Sequence, residues 1–250
     1  MIRRGVMSSP TSTLPAPAEK ERAVQRMFSA IARWYDLNNT VLSFGLHHRW
    51  KREAVSRAQA QPGQTVLDLC AGTCDLAILL ADAVGPNGRV VACDLNAEML
   101  EIGRTKVAKA EYADRIACVR GNAEALDFDD ASFDALTVAF GIRNVTNVPQ
   151  ALREMARVLR PGARAVCLEF SRPTVAPLRA AYDLYSFTLL PKIGTLIARD
   201  RTGVYQYLPD SIRRFPAQDG FAAMWREAGF RDVNYVNRSG GIVAIHTGVR

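Results

Sequence analysis

Polar and glycine residues able to do chemistry recur where runs of β-prone apolar residues end. Five such runs each end in a glycine, an amide or a carboxylate, and the intervening segments have helical periodicity. Strands that alternate with helices pair in parallel through right-handed crossovers, and ligands bind outside the carboxyl ends of such strands. The pattern therefore predicts one shared binding site, formed by Gly72 with Thr73, Asp94, Asn122, the segment 141–144, and Glu169.

The stretch Thr65 to Asp75, T-V-L-D-L-C-A-G-T-C-D, carries the strongest local signal. It predicts a buried strand, a tight turn at Gly72 where backbone can approach a ligand, and the N-terminus of a helix, whose unpaired N–H groups favour polar ligand atoms. Asp94 ends the next predicted strand, about 20 residues further on, where a carboxylate holds the hydroxyls of a nucleoside ribose. This arrangement predicts a nucleotide-type cofactor.

The glycine pattern also limits which cofactor to expect. The turn contains only Gly72, so the G-x-G-x-x-G dinucleotide fingerprint is absent, which argues against an NAD-dependent oxidoreductase. Two further possibilities stay open at this point, an ordinary strand-to-helix turn that binds nothing and a lipid-binding protein without catalytic activity.

Composition and charge limit the classes of binding partner and the cellular compartment to expect. The 250 residues are 48% hydrophobic and 23% charged, which is ordinary for a globular chain able to bury a full core. The net charge of +7 favours anionic surfaces and is compatible with peripheral membrane contact, but the basic residues are scattered and no nucleic-acid-binding motif is present. The cysteines are odd in number and form no C-x-x-C pair. We therefore expect no disulfides, no zinc or other metal, and a cytoplasmic location.

The sequence predicts one domain that has an N-terminal tail, a helical cap and an insertion. Residues 1–18 are rich in Ser, Thr and Pro and predict a disordered tail, and residues 19–250 predict a single domain that begins with a helical cap over 19–60. Within an insertion at 174–214, the stretch Tyr182 to Ala198 is strongly apolar but interrupted by charged residues, Pro and Gly. It is too short and too broken to span a bilayer, so we interpret it as a helical lid.

Several motifs together resemble one known family. They are L-D-L-x-x-G-T-x-D-L-A, D-L-N-x-x-M-L, G-N-A-E-A-L-x-F, F-G-I-R-N-V, V-L-R-P-G and L-E-F-S-R-P, with Y-D-L-Y-S-F-T-L-L-P-K-I-G in the lid. The chain resembles the UbiE/MenG/COQ5 C-methyltransferases of quinone biosynthesis from about Arg22 to Arg250. The resemblance implies an α/β fold of the class I S-adenosylmethionine-dependent, Rossmann-like type, with a mostly parallel seven-stranded sheet and an antiparallel closing strand. It also implies S-adenosylmethionine as cofactor and a polyprenylated quinol, either demethylmenaquinol or 2-methoxy-6-polyprenyl-1,4-benzoquinol, as acceptor.

The resemblance also implies which residues bind the cofactor. Thr73 corresponds to the methionine end, Asp94 to the ribose, and Asn122 with Ala123 to the adenine, while Gly72 and Asp68 complete the cofactor-binding set. One position departs from the family, whose turn usually reads G-G-T-G where this chain has A-G-T-C. If position 74 needs a positive φ, Cys74 costs about 1 kcal/mol relative to glycine.

The chemistry of methyl transfer to carbon indicates what else the site needs. A sulfonium methyl requires mainly alignment with the attacking carbon, and a quinol carbon becomes nucleophilic when its ring hydroxyl loses a proton. Arg143 at a strand end is the candidate for stabilising the phenolate, with a plain salt bridge as the alternative, and Asn144 lies beside it. A methyltransferase acting on another small lipophilic acceptor stays open, as does the choice between naphthoquinol and benzoquinol. The candidate proton acceptors, which the sequence does not rank, are His47, Tyr35, Asp36 and His246.

Overall fold

The computed structural model describes Pro15 and residues 19–198, 200 and 202–250, so the predicted tail lies almost wholly outside the described residues. Within these ranges, seven strands form a single sheet. The strands are β1 (Thr65–Leu69), β2 (Arg89–Asp94), β3 (Ile116–Arg120), β4 (Phe133–Ala139), β5 (Leu159–Phe170), β6 (Arg231–Arg238) and β7 (Val243–Val249).

Helices flank the sheet and add a separate layer at one end of it. A 3₁₀ turn, Ala32–Trp34, separates the first two helices, and a π-helical segment, Tyr185–Leu189, joins the seventh and eighth. The α-helices are α1 (Lys20–Ile31), α2 (Tyr35–Leu42), α3 (Leu46–Ala58), α4 (Asp75–Val84), α5 (Ala97–Val107), α6 (Val148–Val158), α7 (Ala176–Leu184), α8 (Leu190–Ala198), α9 (Val204–Arg214) and α10 (Gln218–Glu227).

The strand order is β3-β2-β1-β4-β5-β7-β6, and β7 runs antiparallel to both of its neighbours. The order reverses between β1 and β4, which pair in parallel from Val66 with Ala135 to Leu69 with Val138. A crevice opens at the carboxyl ends of the strands where the order reverses, and this crevice is the ligand site of such sheets. The predicted mostly parallel sheet with one antiparallel closing strand is confirmed.

Burial on both faces explains why the central strands read as continuous apolar runs. α6 and α10 cover one face through Leu152, Met155 and Trp225, while α4 and α5 cover the other through residues such as Leu80 and Leu100. Parallel strands buried on both sides lose the apolar–polar alternation of a half-exposed strand. Every residue of β1 after Thr65 is accordingly buried, including the carboxylate-bearing Asp68.

The start of one strand and the presence of one helix differ from the sequence expectation. The pair Pro161-Gly162 was expected to separate a helix from a strand beginning at Ala163, but β5 already begins at Leu159, which pairs with Phe133 before a shift in register. The helix α9 was not predicted at all. Proline usually breaks helices, so Pro209 argues against a helix at this place in the sequence. The buried residues of α9, which start at Val204 and end at Ile212, nevertheless follow helical spacing.

The N-terminal helices and the insertion together form a helical layer beyond the sheet. α2 packs against α8, which in turn packs against α9, around a cluster that includes Ile31, Leu190 and Tyr205. The predicted lid is helical, with a wider π turn just before Pro191, whose nitrogen cannot donate to the preceding turn. Across the described residues, no helix is both long enough and apolar enough to cross a bilayer.

Candidate functional site

A cleft with about 760 Å³ of empty space, open solvent included, lies at the carboxyl ends of β1 to β4. Six of the residues predicted at strand ends line it, contributed by the ends of four different strands. Its floor comes from these strand ends, and α1 covers it. The predicted residues that line the cleft are Gly72, Asp94, Asn122, Ala123, Gly141 and Asn144.

Asp94 is fixed by the backbone around it. The N–H of Gly72 donates to its Oδ2 over 2.8 Å, and the N–H of Asn96 donates to its Oδ1 over 2.7 Å. Burial raises the pKa of Asp94, although these N–H groups oppose the rise. Each carboxylate oxygen can accept about two hydrogen bonds, so each keeps a lone pair for a further donor. A nucleoside with two vicinal hydroxyls supplies such donors, and the site therefore fits the ribose predicted for it.

Two glycines of the cleft wall occupy positions where a side chain would be unfavourable. A Cβ at Gly121 would meet the Sγ of Cys93 at 2.7 Å, and a Cβ at Gly72, where φ is +53°, would meet the Cε of Met99 at 3.3 Å. The first distance is shorter than real side chains adopt, and the second position adds the strain of left-handed backbone. Glycine at position 121 therefore avoids a collision with Cys93, and glycine at position 72 suits the positive φ of the tight turn that the sequence predicted.

The helix α1 is held over the cleft by polar contacts. The ammonium of Lys20 donates to the carbonyls of Arg143 (3.1 Å) and Val145 (2.6 Å), and the amide of Asn96 donates to the carbonyl of Gln25 (3.1 Å). The side-chain nitrogen of Asn122 donates to Glu21 over 3.3 Å. The predicted helical cap thus contacts the residue that the resemblance assigned to adenine, and it forms part of the cleft wall.

Two of the predicted cofactor residues do not line the cleft. The hydroxyl of Thr73 is buried and donates to Asp36 over 2.7 Å, and Lys106 binds the other oxygen of Asp36 over 2.7 Å. Asp68 lies within β1 and accepts from the hydroxyl of Thr137 over 2.8 Å, and burial raises the pKa of Asp68 to about 7. Their side chains support the turn from beneath instead of facing the cleft.

Cys74 has a positive φ, the condition under which cysteine at this position was predicted to be less favourable than glycine. Its φ is 65° and its ψ 25°, in the left-handed region. The predicted cost of about 1 kcal/mol relative to glycine therefore applies. Its side chain is fully buried, between the turn and α5.

A second cavity, with about 1110 Å³ of empty space, adjoins the cleft; we call it the apolar chamber. Phe28, Tyr35 and Phe140 line both spaces, so the two meet there. Its remaining walls come from α2, α3, the lid and α9. They include Leu42, Trp50, Phe170, Tyr182, Tyr185, Leu190, Val204, Tyr205, Tyr207 and Ile242.

His47 lines this chamber, and its contact with Thr40 bears on which ring nitrogen carries the proton. The hydroxyl of Thr40 lies 2.9 Å from the carbonyl of Asp36 and 3.1 Å from Nε2 of His47. We assign the hydroxyl hydrogen to the carbonyl, an assignment that puts the ring proton on Nε2 and leaves the lone pair of Nδ1 free. This Nδ1 is buried and has no hydrogen-bond partner in the described part of the chain. Burial, followed by the charge of Lys51, lowers the pKa of His47 to about 4, so the ring is neutral at pH 7.

A second buried acceptor faces no partner in the same chamber. The side-chain nitrogen of Asn38 donates to the hydroxyl of Tyr205 over 2.5 Å, while its Oδ1 has no hydrogen-bond partner among the residues described. Buried polar atoms without partners are rare in proteins and need an explanation. With the tautomer assigned above, Nδ1 of His47 and Oδ1 of Asn38 are both acceptors, so two residues that line the chamber carry buried acceptors that no protein donor satisfies.

Arg143 lies in the chamber wall, at the strand end where it was expected, but its charge is balanced. Its Nη1 donates to Glu169 (2.7 Å) and to the carbonyl of Phe140 (2.7 Å), and its Nε donates to Ser211 (3.4 Å). The guanidinium lies over the ring of Phe170, 5.3 Å from its centroid. Arg143 and Glu169 are both almost fully buried, so the geometry is that of an internal ion pair that ties β5 to the segment after β4.

The other candidate proton acceptors are placed differently. Tyr35 lies at the junction of cleft and chamber, where burial raises the pKa of its hydroxyl to about 12. Asp36 is engaged by Thr73 and Lys106, and His246 packs behind the sheet against Phe221 with its Nε2 bound to the carbonyl of Gln218. Of these four candidates, His47 alone combines a place in the chamber wall with a free buried lone pair.

Comparison with known proteins agrees with this architecture. The model of the ubiE/COQ5 methyltransferase family matches residues 17–250. Relatives named ubiquinone/menaquinone biosynthesis C-methyltransferase UbiE are 47% identical in Hahella chejuensis, over 93% of each chain, and 46% identical in Cronobacter sakazakii, over 94% of this chain and 93% of that one.

Solved structures support the fold at much lower sequence identity. A SAM-dependent methyltransferase from Thermotoga maritima superposes with a TM-score of 0.60 at 17% identity, over 92% of this chain and 99% of that one. Another from Aquifex aeolicus gives 0.58 at 18% identity, over 79% and 88%. The cofactor of this methyltransferase family is S-adenosylmethionine, and the cleft around Asp94 fits its nucleoside. The chain therefore belongs to the ubiE/COQ5 methyltransferase family and is an S-adenosylmethionine-dependent C-methyltransferase.

Proposed function

We propose that this enzyme methylates a ring carbon of a polyprenylated quinol that binds in the apolar chamber. The observation that carries the proposal is the chamber's pair of unpartnered buried acceptors, Nδ1 of His47 and Oδ1 of Asn38. A quinol offers two hydroxyl donors, whereas the oxidised quinone offers only carbonyl acceptors. The relatives' names, which specify ubiquinone and menaquinone biosynthesis, support the same acceptor class.

The chamber also suits the prenyl chain of such an acceptor. Aromatic and aliphatic side chains from the cap, the lid and α9 make up most of its wall. Each methylene transferred from water into such surroundings contributes about 0.8 kcal/mol. The quinol ring then sits at the junction formed by Phe28, Tyr35 and Phe140, next to the cofactor cleft, and the tail extends under the lid.

In the proposed mechanism, His47 accepts the proton of the ring hydroxyl as the carbon becomes nucleophilic. Bound S-adenosylmethionine supplies an electrophilic methyl group. The hydroxyl becomes more acidic as the ring gives up electron density, so a neutral imidazole with a lowered pKa can take the proton in the transition state. Phe28, Tyr35 and Phe140 exclude water from the junction, and Thr40 holds the imidazole in the tautomer that presents Nδ1. Arg143 and Asn144 shape the wall beside the ring.

The test is a methyl-transfer assay on the purified full chain with each acceptor, demethylmenaquinol and 2-methoxy-6-polyprenyl-1,4-benzoquinol, in reduced and oxidised form. We expect product by mass spectrometry only with reductant present, because the oxidised ring withdraws electrons from the carbon that must attack. Equal rates on strictly oxidised and reduced acceptor would refute the quinol mechanism. Activity on one acceptor alone would identify the quinone, and activity on neither would refute the acceptor class.

We also propose that the mouth of the chamber rests on the membrane surface, where a polyprenylated acceptor resides. Large apolar side chains of the cap and the lid face solvent: Phe44, which lines the chamber, is 81% exposed, and Leu196 in α8 is 79% exposed. The ring of Phe44 lies 6.3 Å from that of Tyr185 in the lid, and Tyr185 donates to the carbonyl of Leu42, so cap and lid meet at this surface. The net charge of +7 favours anionic lipids.

Vesicle flotation with anionic and neutral liposomes tests this contact. The double variant Phe44→Ser, Leu196→Ser is expected to lose most of its vesicle binding, because each side chain removed takes away apolar surface available to the bilayer. Val119 is also exposed, at 36%, but lies on the edge strand β3, so Val119→Ser is the matched control. Equal loss in the control variant, or no loss in the double variant, would contradict a contact at the chamber mouth.

A further inference from the structure

Two cysteines lie side by side next to the cofactor turn. The Sγ of Cys74, in the turn before α4, is 3.8 Å from the Sγ of Cys118, in the edge strand β3. Both are free thiols, Cys74 fully buried and Cys118 half-buried. A disulfide requires about 2.05 Å between the sulfurs, so these two must approach by somewhat less than 2 Å. Small shifts of the turn and the edge strand suffice for that.

The surroundings make the two thiols unequal. The hydrogen bond from Cys74, together with the charge of Arg104, lowers the pKa of Cys118 to about 7, whereas the same contact and burial raise the pKa of Cys74. Thiolate is the reactive form of cysteine, and sensor cysteines are accessible and lie next to a second, resolving cysteine. Cys118, on the sheet edge, has the first role, and Cys74, buried behind it, has the second.

We propose that Cys74 and Cys118 form a reversible disulfide with hydrogen peroxide and that this disulfide weakens S-adenosylmethionine binding. The Cys118 thiolate attacks one peroxide oxygen, the O–O bond breaks, and the departing hydroxide leaves as water with the proton that Cys118 had released. The Cys74 sulfur then attacks the resulting sulfenic acid, the S–O bond breaks, and a second water leaves with the Cys74 proton. Two thiols are oxidised and one peroxide is reduced to two waters, and a dithiol reductant reverses the change.

The link to the cofactor runs through the turn itself. The N–H of Cys74 donates to the carbonyl of Ala71 over 2.8 Å, closing the loop that contains Gly72. The N–H of Gly72 holds Asp94 over 2.8 Å. A displacement of Cys74 towards β3 therefore moves the backbone that sets the position of the ribose-binding carboxylate. A glycine at position 74 has no thiol and removes this link.

The test treats the reduced full chain with hydrogen peroxide, blocks the remaining thiols, and maps cross-linked peptides by mass spectrometry, with calorimetry of S-adenosylmethionine binding in parallel. We expect a peptide joining Cys74 to Cys118 and a loss of affinity of roughly tenfold, within the usual range of coupling between two sites, that dithiothreitol restores. Cys118→Ala should bind S-adenosylmethionine like the reduced wild type and lose the response to peroxide. Cys74→Gly should also lose the response, which covers the case of a misfolded Cys118 variant.

Linkage gives a second readout that does not depend on methyl transfer or on the acceptor. If the disulfide weakens cofactor binding tenfold, saturating S-adenosylmethionine must favour the dithiol by the same factor, which for two electrons raises the reduction potential of the pair by about 30 mV. A redox titration with and without S-adenosylmethionine measures this shift. The proposal is overturned if peroxide joins a different pair or none, or if the disulfide forms and leaves both the affinity and the potential unchanged.

Discussion

The cofactor cleft and the apolar chamber are built in opposite ways. The cleft consists mainly of short turns that follow consecutive strands, and Asp94 is held there by the backbone N–H groups of Gly72 and Asn96. The chamber is assembled from distant parts of the chain, and Asn38 contacts Tyr205 across 167 positions. Local geometry thus shapes the cofactor cleft, while long-range packing shapes the apolar chamber in which we propose that the acceptor binds.

The difference extends to the buried charges of each region. Charges around the cofactor turn form a shared network, in which Lys106 contacts Asp36 and Asp75, and Lys51 contacts Asp75 over 2.6 Å. In the chamber wall, by contrast, Arg143 and Glu169 form a separate pair that is enclosed almost completely. A network redistributes charge when one member is lost, whereas an isolated buried pair leaves its partner uncompensated. The two regions should therefore respond differently to mutation.

The largest effect is expected from breaking the isolated pair. Arg143→Met leaves Glu169 buried without a counter-ion and should lower the free energy of unfolding by about 3 to 5 kcal/mol, measured by urea denaturation. The double variant Arg143→Met, Glu169→Leu removes both charges and should recover most of that loss. If Arg143 instead stabilises a phenolate, the single variant will keep its stability and lose kcat about 100-fold, and the double variant will show which role applies.

His47 tests the chemistry of the chamber. His47→Gln keeps a hydrogen-bond acceptor but cannot take a proton at neutral pH, so we expect kcat to fall about 100-fold while KM for the quinol changes little. His47→Phe also removes the hydrogen bond and should raise KM as well. Because the pKa of His47 is lowered to about 4, its protonation should reduce wild-type kcat only as the pH falls towards 4. Full activity in His47→Gln would exclude proton transfer to this residue.

Asp94 tests the cofactor cleft in the same terms. If its free lone pairs accept the ribose hydroxyls, Asp94→Ala should weaken S-adenosylmethionine binding by about 1.5 to 3 kcal/mol, measured by calorimetry, with the fold retained. Asp114, an exposed carboxylate, gives the matched control Asp114→Ala, which should bind normally. Unchanged affinity in a folded Asp94→Ala variant would remove Asp94 from the site, and a loss in the control would point to a general charge effect.

The contrast between the regions also explains how much the sequence could predict. Strand ends, glycine turns and the ribose carboxylate depend on residues near one another in the chain, so Gly72, Asp94 and Asn122 could be placed at one edge of a parallel sheet from the sequence alone. The same reasoning assigned Thr73 to the cleft, because a motif gives position along the chain but not the direction of a side chain. Its hydroxyl in fact binds Asp36, which lies 37 positions earlier.

The chamber could be predicted only in part. Apolar periodicity predicted the cap and the lid but not their shared wall, and Pro209 concealed α9, which contributes Tyr205 and Tyr207 to the chamber. The pairing of Arg143 with Glu169 also depends on the tertiary arrangement, since the two lie 26 positions apart. His47 was one of four open candidates, and neither its place in the chamber wall nor its contact with Thr40 could be predicted from the sequence.

The smallest effect is expected at Cys74, where backbone strain and side-chain packing act in opposite directions. Its left-handed backbone favours glycine by about 1 kcal/mol, but its buried thiol fills space beside Gly103 of α5, where a Cβ would collide with the Cys74 Sγ. Cys74→Gly relieves the strain and leaves a small void, so its net effect on the free energy of unfolding should be close to zero. Gly103→Ala alone should destabilise, because overpacking of about 1 to 3 kcal/mol exceeds the helical advantage of alanine.

Combining Cys74→Gly with Gly103→Ala removes the collision, since the methyl group introduced at position 103 takes the place of the thiol. The double variant should then gain both the relaxed turn and the roughly 1 kcal/mol by which alanine favours a helix over glycine. Urea denaturation of all four proteins, with thiols kept reduced, measures the coupling between the two positions. If the changes in free energy of unfolding of the two single variants simply add up, the thiol of Cys74 does not fill the space at Gly103. Packing against α5 would then not explain why this turn tolerates cysteine.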